Sequence, residues 1–160
     1  MSPRSTSQPS RARVRDARET DLPRIVELLA QLSPDEPRED TRTPIQESYR
    51  RAFRAIEADP RQRLLVVEAN GAAAGCASLV IVPNLSHRGR PYAIIENVVV
   101  DAAARGAGFG DVLMRYAIEQ AREAGCYKLS LMSNKRRRDA HRFYERLGFT
   151  ATHEGFRIDL

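Results

Sequence analysis

The spacing of apolar residues predicts alternating strands and helices along the chain. A weak alternation of apolar and polar residues over 12–17 indicates an edge strand. Apolar residues then recur at helical spacing, which predicts a helix from an N-cap at Thr20 to about Ser33. A second helix is expected from Thr43–Pro44 to Asp59. The first third of the chain is therefore one strand followed by two helices.

Strand patterns occupy the middle of the chain. Apolar runs on either side of Asn70–Gly71 predict a hairpin within residues 64–82, because this dipeptide favours a two-residue turn. Another apolar strand is predicted over residues 92–100, interrupted only by Glu96 and Asn97. A charged side chain in such a strand is a candidate for chemistry.

The last third of the chain alternates between helix and strand. The pattern predicts a helix over about 108–124, a strand over 127–132, a helix over 138–147, and one or two terminal strands within 149–160. The order is β-α-α-β-β-β-α-β-α-β. This order predicts an α/β fold class (α+β, mixed sheet) in which helices pack on the sheet.

Composition separates a tail from a single domain. Residues 1–12 contain Ser, Pro and Arg with almost no apolar side chain, which predicts a disordered basic tail ahead of one domain at 13–160. The chain has 26 basic and 21 acidic side chains, a net charge of +5, and the first 18 residues alone account for +4. The excess charge therefore says little about the partners of the domain.

Neither a membrane protein nor a disulfide-rich protein is expected. No apolar run approaches the roughly 20 residues that span a bilayer, so we expect no membrane protein, and the N-terminus has no apolar signal-peptide segment. Cys76 and Cys126 are too few for a disulfide framework and are expected to be buried free thiols. Free thiols suit a cytoplasmic location.

A glycine-rich turn is the most informative stretch of the sequence. It runs from Glu96 to Gly110 (ENVVVDAAARGAGFG) and joins a strand to a helix. Glycines allow close backbone approach, and a helix N-terminus offers free N–H groups, so the turn suits a phosphate or pyrophosphate. The P-loop string G-x-x-x-x-G-K-[ST] is absent, and the position and spacing differ from a dinucleotide fingerprint. A tight structural turn remains the alternative.

Two blocks of sequence resemble one enzyme superfamily. RGAGFG at residues 105–110 matches the R/Q-x-x-G-x-G/A signature of GNAT acetyltransferases, and AHRFYERLGF at residues 140–149 resembles their second block, A-x-x-F-Y-x-x-x-G-F. The resemblance covers about residues 13–160. It implies the GNAT fold and transfer of an acetyl group from acetyl-CoA to a primary amine, by direct attack in a ternary complex.

The resemblance implies which residues hold the co-substrate acetyl-CoA. Its pyrophosphate would lie on Arg105 and on the backbone of Gly106, Ala107, Gly108, Phe109 and Gly110. Its pantetheine arm would bond to the strand at Val98, Val99 and Val100. Asn134 is a further candidate for the same arm, although Asn after a strand is often only a turn residue.

Two residues are candidate catalysts. Tyr144 matches the tyrosine that acts as general acid in the family, and a phenol stays protonated at neutral pH; the alternative is a core aromatic. Glu96 is the candidate base, which would take the amine proton through water, and a structural salt bridge is its alternative. We expect no metal.

The acceptor amine is expected to be a small molecule. The C-terminal string from Asp139 to Leu160 is similar to aminoalkylphosphonate N-acetyltransferases, and IENVVV with GCYKLSL resembles glucosamine-6-phosphate N-acetyltransferases. Two loops are expected to contact the acceptor. Residues 33–43 carry Asp35, Glu36, Glu39 and Asp40, which would attract an amine, and residues 83–91 carry His87, Arg88 and Arg90, which would suit an anion.

Two other functions stay open. Residues 126–146 carry seven basic and two acidic side chains, so a basic nucleic-acid-binding module is one alternative. No aromatic platform is interleaved with these charges, and we expect no nucleic acid. The resemblance places this region near the cofactor, whose phosphates one or two of these side chains would contact. The second alternative is an acetyl-CoA sensor without catalysis. Whether the chain forms a homodimer is also left open.

Overall fold

A single mixed sheet organises the molecule. The computed structural model describes residues 12–160, and five strands follow one another across its sheet in chain order. They are β1 (Arg13–Asp16), β2 (Gln62–Ala69), β3 (Ala72–Val82), β4 (Tyr92–Val100) and β5 (Leu129–Ser130). Neighbours from β1 to β4 are antiparallel, whereas β5 runs parallel to β4. The mixed α/β class predicted from the sequence is confirmed.

Helices cover both faces of the sheet. They are α1 (Leu22–Ala30), α2 (Glu47–Ala58), the short α3 (Ser86–Gly89), α4 (Phe109–Glu123) and α5 (Arg138–Arg146). Ile25 and Leu28 of α1 pack against Val66, while Leu113 of α4 packs against Leu65. Neighbouring residues of β2 thus face opposite cores, as the pleat of a strand requires. Burial of each such side chain stabilises the fold by about 1.5–3 kcal/mol.

Most predicted elements form close to their expected positions. Asn70 and Gly71 have φ values of 52° and 79°, the left-handed conformations that a two-residue hairpin turn needs. The second helix begins later than expected, at Glu47, with Gln46 as its extended N-cap residue. The segment of α3 was expected as loop, and His87 and Arg88 within it have positive φ. It is one tight left-handed turn.

The predicted terminal strands are absent. From residue 147 to residue 160 the described chain contains no strand, so the final β of the expected order is wrong. A strand needs a neighbour that pairs with its backbone, and none of the five strands pairs with this segment. The side chains of Phe156 and Ile158 accordingly stay exposed.

The extent of the domain remains a prediction at its N-terminal end. The expected tail, residues 1–12, lies outside the described residues apart from Ala12. Within the described part, Cys76 is buried and Cys126 is half-buried, and both are free thiols.

Candidate active site

A cleft opens where β4 and β5 separate. Their ladder joins only Ala93 to Leu129 and Ile94 to Ser130. Beyond this step lies a cleft of about 160 Å³, with walls from the end of α1, the second half of β4, the segment after β5, and α5. Its lining residues are Leu32, Ile95, Glu96, Asn97, Val98, Leu131, Met132, Arg137 and Tyr144.

A β-bulge in β4 sets which side chains face the cleft. Three residue steps from Glu96 to Val99 lie opposite only two steps on β3. Asn97 lies at the bulge with a φ of 54°, a conformation that Asn adopts more readily than most residues. Ile95 packs on the side of α4 and Val99 on the side of α1, although both are odd-numbered. Because of the extra residue, odd-numbered side chains of β4 point to the α4 side of the sheet before the bulge and to the α1 side after it.

Tyr144 lies at the inner wall of the cleft. Its ring packs edge-on against Phe149, with ring centroids 5.9 Å apart, and only 8% of the residue is exposed. Burial raises the pKa of the phenol; the Arg137 guanidinium opposes this effect and the Glu96 carboxylate adds to it. The hydroxyl therefore keeps its proton at neutral pH, and Tyr144 is among the residues that line the cleft.

Glu96 lines the same cleft from β4. It is half-buried, and none of the ion pairs between described residues involves its carboxylate. The alternative of a structural salt bridge thus finds no partner in the described part of the chain. A half-buried carboxylate without a cation partner is free to accept a proton.

The glycine loop leads into α4 with its backbone exposed. Gly106 and Gly108 have φ values of 82° and 83°, and no atom lies within 4 Å of the place where a Cβ would stand on either. Gly108 is the N-cap of α4, and the first backbone hydrogen bond, from the amide of Val112 to the carbonyl of Gly108, leaves the preceding amides free. Arg105 and Ala107 are exposed beside them. This is the arrangement that binds a pyrophosphate.

Three side chains that the sequence analysis missed hold the segment ahead of this loop. Asp101 accepts hydrogen bonds from Arg24 and, at 3.0 Å, from the amide of Ala103. Gln31 at the end of α1 accepts a hydrogen bond from the amide of Ala102 at 2.8 Å. The Ala103 amide and then Arg24 lower the pKa of Asp101. Nothing in the local sequence indicates this network, because its members are about 70 residues apart.

The second half of β4 has an open edge. Among the described residues, no strand pairs with β4 beyond Ile94 on the side of β5. Val98, Val99 and Val100 lie on this unpaired stretch, and Val98 also lines the cleft. An extended ligand with amide groups can pair with such an edge as an added strand does.

Asn134 forms a turn between β5 and α5. Its side-chain oxygen accepts a hydrogen bond from the amide of Arg136 at 2.9 Å, and its backbone carbonyl accepts one from the amide of Arg137 at 3.0 Å. The imidazole of His141 lies 3.0 Å from the same carbonyl. These contacts are those of a turn residue. The role of Asn134 toward a cofactor stays a prediction.

The charged side chains of the two loops expected to contact the acceptor lie outside the cleft. In the acidic loop, Glu36 pairs with Arg38 at 2.8 Å and Asp40 pairs with Arg42 at 2.5 Å. In the basic loop, the His87 ring stacks on that of Tyr127 with centroids 3.7 Å apart. None of the charged residues of either loop lines the cleft.

Arg137 is the cation that the structure brings to the cleft instead. It precedes α5, and its side chain lines the cleft with Glu96 and Tyr144. In the sequence it is one of four consecutive basic residues, so no local signal distinguishes it from its neighbours.

A buried hydroxyl beside the cleft supports a ligand with polar groups. The Oγ of Ser133 is buried without a hydrogen-bond partner among the described residues, directly after Met132 in the cleft wall. A buried polar atom without a partner is costly, and the amides of a pantetheine arm can satisfy it. The open edge, the free amides and this hydroxyl all fit acetyl-CoA.

Two other kinds of feature are absent from the described residues. No group of three or more His, Cys, Asp or Glu there has the geometry of a metal site. Across residues 12–160, none of the helices combines the length and apolar character that crossing a membrane requires.

Comparison with known proteins matches the chain to one family. The family model described as "Acetyltransferase (GNAT) family" matches residues 24–149. A glucosamine 6-phosphate N-acetyltransferase of Trypanosoma brucei brucei is 40% identical over 109 residues, which cover 64% of this chain and 72% of the relative. An aminoalkylphosphonate N-acetyltransferase of Salmonella typhimurium is 36% identical over 110 residues, which cover 69% of this chain and 71% of the relative.

A solved structure shares the whole fold. A protein from Bacillus halodurans C-125, described as a transcriptional regulator, superimposes with a TM-score of 0.88 and is 39% identical. The match covers 93% of this chain and 99% of that chain.

Proposed function

Because the chain belongs to the GNAT family of acetyltransferases, we propose that it moves the acetyl group of acetyl-CoA to the primary amine of a small molecule. The family resemblance inferred from residues 105–110 and 140–149 and the N-acetyltransferase activity class are confirmed by the comparisons. One observation supports the specific proposal most directly. Tyr144 and Glu96 share a cleft beside an open strand edge.

Acetyl-CoA fits the open side of this cleft. Arg105 and the amides from Gly106 to Gly110 would hold the pyrophosphate, because the N-terminus of α4 attracts negative charge. The backbone of Val98–Val100 would pair with the pantetheine arm and direct its thioester toward Tyr144. Asn134 is a further candidate contact to this arm.

The two candidate catalysts divide the proton transfers between them. The amine nitrogen attacks the thioester carbonyl, and Glu96 accepts a proton from that nitrogen through a water molecule. The carbon–sulfur bond then breaks, and Tyr144 donates its proton to the departing thiolate, which leaves as CoA. A proton passing from Glu96 to the Tyr144 phenolate through solvent restores both groups. Direct attack in a ternary complex needs no acyl-enzyme.

The relatives support a small acceptor. Their names specify glucosamine 6-phosphate and an aminoalkylphosphonate, which are both small primary amines with an anionic group. A protein or peptide amine is the competing acceptor.

The first experiment is release of free thiol from acetyl-CoA with a panel of amines. We expect turnover with small primary amines, and initial-rate plots that intersect when both substrates are varied, because both bind before chemistry. Parallel plots would contradict direct attack. If no amine gave turnover, the proposed acetyltransferase activity would be contradicted. Binding of acetyl-CoA without turnover would then favour the alternative of a non-catalytic acetyl-CoA sensor.

A nucleic-acid arm belongs in the same experiment, because a solved relative is described as a transcriptional regulator. If the chain binds nucleic acid through its basic residues, the affinity falls steeply as salt rises. Tight, salt-dependent binding to duplex DNA together with no thioester turnover would favour that alternative over the proposed enzyme.

Two further expectations accompany the proposal. Free Cys76 and Cys126 support a cytoplasmic location, because thiols persist in a reducing compartment. The exposed apolar side chains of Phe156, Ile158 and Leu160 support a homodimer, since exposed apolar patches often mark protein contacts. Sedimentation equilibrium of the full chain measures the second.

A further inference from the structure

Opposite charges face one small cleft. Glu96 projects from β4 and Arg137 from the start of α5, and both side chains line the cleft that contains Tyr144. The guanidinium and the carboxylate both lie within electrostatic reach of the phenol. They are the only charged residues that line this cleft within the described chain.

Arg137 differs from the basic residues beside it, Lys135, Arg136 and Arg138, in lining the cleft. Lys135 pairs with Glu154 at 3.6 Å, and Arg142 pairs with Asp139 on the exposed side of α5. Among the described residues, no carboxylate lies within ion-pair distance of Arg137, and Glu96 is also without a cation partner. Two opposite charges that share a cleft without pairing can be bridged by one ligand with a charge at each end.

The phosphates of acetyl-CoA are a poor match for Arg137. None of residues 105–110, which carry the predicted pyrophosphate site, lines the cleft. Arg137 instead lies beside Tyr144, where the thioester reacts in the proposed mechanism. The anion that reaches Arg137 there belongs to the acceptor.

We propose that Arg137 binds an oxyanion of the acceptor, so that the substrate class is a small primary amine with a phosphate, phosphonate or carboxylate a few bonds from the nitrogen. The inference rests on the proposed acetyl transfer and names its substrate class and a specificity-determining residue. The planar guanidinium donates two parallel hydrogen bonds to such a group. With the anion on Arg137, the amine faces Glu96.

The test compares acceptors that differ in charge. Aminoethylphosphonate, O-phosphoethanolamine and β-alanine carry the anion, and n-propylamine lacks it. We expect kcat/KM of the unaltered protein to be at least about 10-fold higher for the best anionic acceptor than for n-propylamine, because a charged hydrogen bond is lost with the neutral one. The three anions distinguish phosphonate, phosphate and carboxylate.

Substitution of the arginine assigns the effect. Arg137→Gln should lower kcat/KM for the anionic acceptor about 10- to 100-fold, mainly through KM, and change that for n-propylamine less than about 3-fold. Arg137→Lys should restore part of the loss, because it keeps the charge without the planar fork. Arg142→Gln removes a charge from the same helix outside the cleft and should change neither acceptor.

A binding measurement separates this inference from the proposed function. Titration calorimetry of aminoethylphosphonate into the protein saturated with CoA reports on Arg137 even if no acceptor turns over. Loss of binding in Arg137→Gln but not in Arg142→Gln supports the site. An unchanged preference for anions, an equal loss for both acceptors, or a change confined to the KM of acetyl-CoA would overturn it.

Discussion

Tyr144 and Glu96 line the same cleft, and the carboxylate of Glu96 affects the acidity of the Tyr144 phenol. Burial is the first cause of the raised pKa of Tyr144; Arg137 opposes the rise and Glu96 adds to it. A negative neighbour disfavours the phenolate, so Tyr144 holds its proton through the neutral range. The candidate base thus also helps to keep the candidate acid protonated.

Replacement of Tyr144 by Phe should lower kcat about 100- to 10,000-fold, because the thiolate loses its proton donor. The ring contact to Phe149 is retained, so the thermal midpoint should change little. In the unaltered protein the alkaline limb of the pH–rate profile should lie above about pH 10, since the pKa of Tyr144 is raised from that value. Unchanged turnover at saturating acceptor would remove Tyr144 from this role.

Replacement of Glu96 by Gln should move the alkaline limb assigned to Tyr144 to lower pH. The neutral amide no longer disfavours the phenolate, so the pKa of Tyr144 falls. The pH dependence of kcat, measured from pH 6 to 11, gives the position of the alkaline limb in the unaltered protein and in Glu96→Gln. An alkaline limb at the same pH in Glu96→Gln would contradict the electrostatic link, whatever happens to the rate.

Replacement of Gly75 by Ala should destabilise the sheet where β3 pairs with β4. A Cβ on Gly75 would lie 2.6 Å from the carbonyl oxygen of Val99 and 3.2 Å from the Cα of Val100, and backbone atoms have little room to move. We expect a loss of about 1–3 kcal/mol in the free energy of unfolding, measured with urea. Ala72→Ser, at the exposed end of β3, is the control and should change it by less than about 0.5 kcal/mol. If Gly75→Ala were as stable as the unaltered protein, the backbone of β4 would have to shift away from the added Cβ without cost, which would contradict the prediction.

Replacement of Asp21 by Asn should reduce stability at neutral pH but not in acid. The guanidinium of Arg15 forks onto Asp21 at 2.7 and 3.0 Å, and this hydrogen bonding holds the pKa of Asp21 below its usual value. The folded state therefore gains stability from the carboxylate above about pH 4 and loses it as the pH falls through the lowered pKa. Urea titrations at pH 7 should show a loss of about 1–3 kcal/mol, and the difference should shrink below pH 4.

The exposed carboxyl of Asp35 provides the control for Asp21. Asp35→Asn should leave the urea midpoint unchanged at both pH values. A loss for Asp21→Asn that persists undiminished in acid would indicate that the pair is not the cause.

Cys76 should be inert to thiol reagents in the folded protein. The side chain is fully buried, and burial raises the pKa of its thiol to about 12, so almost no thiolate is present at pH 8. In a Cys126→Ser variant, a chromogenic disulfide reagent should react with the remaining thiol only after unfolding in guanidinium. Rapid stoichiometric reaction of the native variant would contradict the burial of Cys76.

Local features of this site follow directly from the sequence. The string RGAGFG predicts a glycine-rich turn that runs straight into a helix, and Gly106 and Gly108 form this turn ahead of α4 in left-handed conformations, which glycine enters without a steric penalty. Tyr144 and Glu96 also lie together as the family resemblance implies. Their roles and those of the cofactor contacts remain predictions.

The wrong prediction concerns a contact between distant segments. The chain after α5 was expected to form strands, but a strand exists only through a pairing neighbour, which no local pattern supplies. The acidic loop is expected to attract an amine; in the structure its Glu36 and Asp40 pair with Arg38 and Arg42 of the same loop, and its contact with an acceptor stays a prediction. Composition gives the number of charged side chains. Which of them stay without an ion-pair partner depends on their positions in the fold.

The sequence by itself determined the family, the order of the main elements and the two motif blocks, because turn conformations, helix periodicity and glycine positions are local properties of the chain. Only the tertiary structure decided that β4 and β5 diverge after one paired step, that a bulge at Asn97 reverses the facing of β4, and that Arg137 rather than its neighbours enters the cleft. These outcomes depend on packing between residues far apart in the chain, where the burial of apolar side chains in two cores determines which polar groups are left to face the cleft.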